Sequence, residues 1–111
     1  MITMQALKDF GADTESGLSR CLEREEFYLK MVNMAISNPK FDELGDAIEA
    51  DNLESAFELC HALKGITGNV GLDPLYKKLC DMTELLRHKE NADYRFLYAD
   101  IKELHTKLLK M

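Results

Sequence analysis

Of the three histidines in this 111-residue chain, one sits among neighbours that could make it reactive. His61 falls inside a run, Leu53 to Val70, whose apolar residues recur at helical spacing. On a helical wheel with His61 at zero, Leu59, Leu63, Ile66 and Val70 gather within roughly 40° of the opposite side, with Ala56 beside them. That arrangement predicts a buried stripe opposite an outward-pointing imidazole. A neutral imidazole is a nucleophile near neutral pH, so an exposed one can accept a group in transfer without a third residue to activate it.

The face that His61 shares holds Glu54, Phe57, Glu58, Lys64, Gly65 and Gly68. Two glycines inside a helix are unexpected, because each costs about 1 kcal/mol relative to alanine. They stand four and seven places after His61, where side chains would crowd its ring from the C-terminal side. Their absence leaves an open approach. Lys64, one turn from His61, supplies a cation that can neutralise the oxygens of a phosphoryl group on or near the ring. Phe57, one turn before His61, is either an exposed docking anchor or a ring covered by a neighbouring N-terminal helix. As an anchor it would hold a partner's apolar residues while Glu54 and Glu58 select for a basic rim.

The elements that carry this face read as all-α, with no strand-like alternation of useful length. A short helix from Met4 to Phe10 ends at Gly11. Asp13 and Thr14 cap a second segment that turns Leu18, Cys21 and Leu22 inward and continues after Glu25 through Tyr28, Met31, Val32, Ala35 and Ile36. Ser37-Asn38-Pro39 interrupts it, since the residue before a proline is pushed from helical geometry. Phe41, Leu44, Ala47 and Ile48 mark a short helix to about Ala50. Asp51-Asn52 supplies a break and a cap for the helix of His61, and Gly71 ends it. Asp73 then caps a helix with Pro74 in its first position and Leu75, Leu79, Met82 and Leu86 inward. Leu97, Ile101, Leu104 and Leu108 line the last one. Short connections predict an antiparallel up-down-up-down four-helix bundle with a short extra N-terminal helix, the whole of residues 1–111 forming one domain.

Composition narrows the function further. The chain carries 14 basic and 20 acidic residues, a formal charge of -6, and no basic cluster, which argues against nucleic acid and anionic lipid as partners. No apolar run approaches the roughly 20 residues needed to span a bilayer, and Met1 to Met4 lack a signal-peptide layout. Cys21, Cys60 and Cys80 are odd in number and widely spaced, as expected of free thiols in a reducing cytosol. A cytoplasmic monomer is expected.

The run His61-Ala62-Leu63-Lys64-Gly65-Ile66-Thr67-Gly68 resembles the signature of histidine-containing phosphotransfer domains, and the segment order resembles that family along the whole chain, with the signature on the second bundle helix. The resemblance implies a phosphorelay intermediate. His61 would take a phosphoryl group from a receiver-domain aspartate or a kinase and pass one to another receiver. Lys64 would hold the phosphoryl oxygens, and Gly65 and Gly68 would give access. Thr83, on the following helix, stands where some relatives place a hydrogen-bonding side chain near the histidine. Response-regulator receiver domains and sensor histidine kinases are the implied partners. No cofactor is implied for this chain, and Mg²⁺ is expected on the receiver.

Two other readings use the same residues. Glu58 and His61 have the Glu-x-x-His spacing of di-iron bundles, but His88 follows Leu85 and His105 follows Lys102 at that spacing, so no second copy exists and no metal is expected. A non-catalytic interaction bundle would leave His61 incidental, and the paired glycines and Lys64 would then have no purpose. His88 and His105, near helix ends or on polar faces, are given no role. With no Gly-rich loop after a strand and no carboxylate cluster, the chain is expected to be a phosphocarrier and free-standing shuttle rather than a kinase.

Overall fold

The computed structural model describes residues 2–111, and Met1 lies outside them. Local signals place most helix ends. Thr3 Oγ1 accepts from the Ala6 N–H to open α1 (Met4–Phe10), and Gly11, at φ 101°, closes it in the left-handed region. Asp13 caps α2 (Thr14–Arg20) through the Ser16 N–H. The chain then bends: Leu22 and Glu23 take φ of 58° and 60° before α3 (Glu25–Ile36) begins. That bend corrects one expectation, because it turns Leu22 out to 76% exposure while Cys21 stays buried.

After Ser37-Asn38-Pro39, α4 spans Lys40–Glu49. Asn52 Oδ1 accepts from the Ser55 N–H to open α5 (Leu53–Asn69). Gly71, at φ 71°, turns the chain into α6 (Asp73–Arg87). Here the cap differs from expectation. Leu72 is the capping residue, Asp73 is the first helical residue, and the Asp73 side chain makes no capping bond. Leu72, at φ -79° and ψ 63°, is the centre of a tight turn in which the Asp73 N–H donates to the Gly71 carbonyl at 2.8 Å. Asp93 caps α7 (Tyr94–Leu109) through the Phe96 N–H.

Each of α4, α5, α6 and α7 packs on the next, and α7 returns to α4, closing a four-helix bundle. α3 extends the first arm. His105 of α7 touches both the Ile36 carbonyl and the Phe41 ring, Tyr98 donates to the Phe41 carbonyl at 2.8 Å, and Arg95 pairs with Glu49 at 3.3 Å. Residue numbers rise along α3 and α4 as they fall along α7, so the α3–α4 arm and α7 are antiparallel. Leu44, Leu63, Leu75, Leu79 and Ile101 are fully buried along the axis of the bundle, as the apolar stripes predict.

The N-terminal segments are tied to the far end of α5. The Asp13 N–H donates to the Gly71 carbonyl at 2.8 Å, and Arg20 Nη1 donates to the Gly68 and Asn69 carbonyls at 2.8 and 3.2 Å. Tyr28, fully buried, passes against Gly17, where a side chain would collide with its ring, and donates to the Val70 carbonyl at 2.8 Å. Those bonds fasten the N-terminal segments to carbonyls in the last turn of α5 and in the turn that follows it.

Candidate functional site

α5 presents His61 outward, as the wheel predicts, but the helix is rolled from the expected angle. Ala56, Cys60, Leu63, Thr67 and Val70 are buried, whereas Leu59 and Ile66 are only half-buried. The roll arises because α5 is covered on two sides, by α4 and by α6, and its buried centre faces the seam between them. Two polar groups are accommodated there without loss. Thr67 Oγ1 donates to the Leu63 carbonyl at 2.9 Å, inside its own helix. Cys60 Sγ lies 3.3 Å from the Leu79 carbonyl, and burial pushes its thiol up to about 11, opposed by the Thr83 hydroxyl.

Thr83 belongs to that buried cluster and not to the outer face. It is fully buried, with its hydroxyl 2.6 Å from the Leu79 carbonyl and 3.1 Å from Cys60 Sγ. No hydrogen bond joins it to His61 among the described residues. The short threonine side chain is held by its own helix, so the expected partner of the imidazole is missing at this position.

The other residues expected beside His61 share its helix. Glu54, Glu58 and Gly65 are exposed, and Lys64 is half-buried with no ion pair among the described residues. A Cβ built on Gly65 meets nothing within 4 Å, so nothing in the packing requires glycine there. Gly68 differs. Its Cβ would lie 2.9 Å from the Tyr76 ring of α6, so this glycine serves close helix packing rather than access. Lys64, Gly65 and Gly68 line a depression of about 380 Å³ with Arg20 and Tyr76.

Phe57 is neither open nor claimed by the N-terminal helix. It is half-buried, with its ring centroid 6.0 Å from that of His61 and the planes 18° apart. The Arg87 guanidinium of α6 stands 5.2 Å from the Phe57 centroid and is also bonded to Glu84 at 3.2 Å. On the side of Phe57 toward α7 lies a groove of about 670 Å³, walled by Leu53, Leu86, Arg87 and Tyr94. Sequence reading missed Arg87. It lies 26 positions after His61, and only the register of α6 against α5 brings it to Phe57.

The other histidines are differently placed. His105 is half-buried, stacked on Phe41 with centroids 3.9 Å apart and Nε2 2.6 Å from the Ile36 carbonyl, a structural role that its polar sequence neighbours conceal. His88 is exposed near Glu84, at 3.5 Å. No group of three or more His, Cys, Asp or Glu side chains is gathered for a metal among the described residues. Nor is any described helix long and apolar enough to cross a membrane.

A family model described as the Hpt domain matches residues 35–110, more than half of the chain. The chain belongs to the Hpt domain family. The match runs from the end of α3 through α7, so it holds the closed bundle and His61, while α1, α2 and most of α3 precede it. No curated protein and no solved structure matches the chain. Hpt domains are histidine phosphotransfer modules of phosphorelay signalling, phosphocarriers rather than enzymes, and an all-helical bundle suits that role. Among the described residues, His61 is exposed on the helix that also carries Gly65, which faces open space, and Lys64, which makes no ion pair.

Proposed function

We propose that this Hpt domain, residues 1–111 acting as one unit, relays a phosphoryl group through His61. The donor is the aspartyl phosphate of a receiver domain or a sensor histidine kinase, and the acceptor is the aspartate of another receiver. A ring nitrogen lone pair of His61 forms the P–N bond as the P–O bond to the donor aspartate breaks. The carboxylate leaves with that electron pair, and reversal of the same step delivers the group onward. Lys64 neutralises phosphoryl oxygens during both. The divalent cation and the acidic pocket belong to the receiver, so this chain needs no cofactor. It acts as a cytoplasmic monomer.

The observation that carries this reading is the open space over Gly65 beside an exposed His61. A helix gains about 1 kcal/mol by replacing such a glycine with alanine, and no neighbour forbids it. A reacting partner that must approach the ring accounts for its presence. Mixing the protein with phosphorylated receivers should move label to this chain, stable to base and labile to acid. A His61→Gln variant of unchanged helicity should take none. Label that persists in that variant would place the site on His88 or His105, and label that never moves would leave a non-catalytic interaction bundle.

A further inference from the structure

An exposed imidazole turns freely about two side-chain torsions unless something holds it, and transfer inside a complex depends on the ring pointing at the phosphorus. Thr83, the residue whose position suggested a hydrogen bond to the ring, is turned into the core. What lies beside His61 instead is Phe57, one turn earlier, with the two rings nearly parallel at 6.0 Å. That separation falls within the range for offset aromatic pairs.

Phe57 is in turn restrained. The Arg87 guanidinium stands 5.2 Å from its centroid, and Glu84 holds that guanidinium at 3.2 Å. Leu53 and Leu86 line the groove beside it. Arg87 and Glu84 are on α6, so the chain of contacts Glu84–Arg87–Phe57–His61 ties the imidazole to α6 as well as to its own helix.

We infer that Phe57, backed by Arg87, is a positioning residue for His61: the aromatic face sets the plane of the imidazole in the place of the hydrogen bond that Thr83 does not make among the described residues. This rests on His61 being the phosphorylated residue. It differs from a docking role for Phe57, because a ring that restrains the imidazole acts on the step within the complex and not on formation of the complex.

The two roles separate in single-turnover transfer from a phosphorylated receiver over a range of receiver concentrations. Phe57→Leu keeps an apolar side chain of similar reach but removes the flat face. The saturating rate is expected to fall about tenfold, with the half-saturating receiver concentration close to that of the parent. Carbon-13 relaxation of the His61 ring should report greater mobility in the same variant, Phe57→Tyr should restore both readouts, and Arg87→Gln should move both in the direction of Phe57→Leu. A rise in half-saturating concentration at an unchanged saturating rate would make Phe57 a docking anchor and overturn the inference, as would unchanged ring mobility. Labelling by phosphoramidate tests the underlying reading separately. It should mark His61 in each of these variants, and a label found elsewhere would reject His61 as the carrier whatever Phe57 does.

Discussion

Tyr76 occupies the space that a side chain on Gly68 would need: a Cβ there would lie 2.9 Å from Cε1 and 3.1 Å from Cδ1 of the tyrosine ring. The two glycines of α5 therefore answer to different constraints. Gly68 lets α6 approach, and Gly65 faces open space. Gly65→Ala should stabilise the fold by up to about 1 kcal/mol, the ordinary helix gain, while slowing transfer through the bulk added one turn from His61. Gly68→Ala should be the less stable of the pair by about 1 kcal/mol or more, since displacing Tyr76 offsets the same gain. Denaturant titration of both variants beside a transfer assay checks the contrast. Equal stabilities would mean that Tyr76 swings away at no cost.

Lys64 makes no ion pair among the described residues, so its charge is available to an incoming group. Lys64→Ala should slow transfer or shorten the lifetime of phosphohistidine by about tenfold, the scale of one charge-assisted contact of 1.4 kcal/mol. The melting temperature should hold or rise slightly, given the propensity of alanine. If rate and lifetime both match the parent, Lys64 is only a solvated surface residue.

Thr83→Val replaces a buried hydroxyl by a methyl of similar shape. Stability should fall by about 1 kcal/mol as the contacts to Leu79 and Cys60 are lost, and the transfer rate should stay at the parent value. A rate that drops together with intact stability would show that the hydroxyl reaches His61 in the reacting complex.

Alkaline stability follows from two buried acids. Burial pushes the Cys60 thiol from 9.0 to about 11 and the Tyr28 phenol from 10.0 to about 12. The folded chain thus keeps protons that the unfolded chain releases above pH 9. Stability from these groups is fully present below that point and is lost as pH rises toward their folded values. Chemical denaturation between pH 8 and 11 should show a loss on the order of 2 kcal/mol from Cys60, smaller in Cys60→Ala. The same variant falling as steeply as the parent would assign the loss to other groups.

Much of this protein follows from its residues in order. Helix ends at Gly11, Asp51-Asn52 and Gly71 were legible because capping is local chemistry, settled within a few residues of the chain. The outward direction of His61 followed for the same reason, since the helical period is set by covalent geometry and backbone hydrogen bonds. What only the tertiary structure decided were relations between helices. The roll of α5 that buries Cys60 and Thr67, the ring of Tyr76 over Gly68, the withdrawal of Thr83 from His61 and the arrival of Arg87 at Phe57 all depend on how α6 is rotated and offset against α5. A slide of α6 by one turn would keep its apolar stripe inward while changing every one of these contacts. The periodicity of a single helix specifies which side is buried, but the choice among packing registers is made by the summed fit of side chains far apart in sequence.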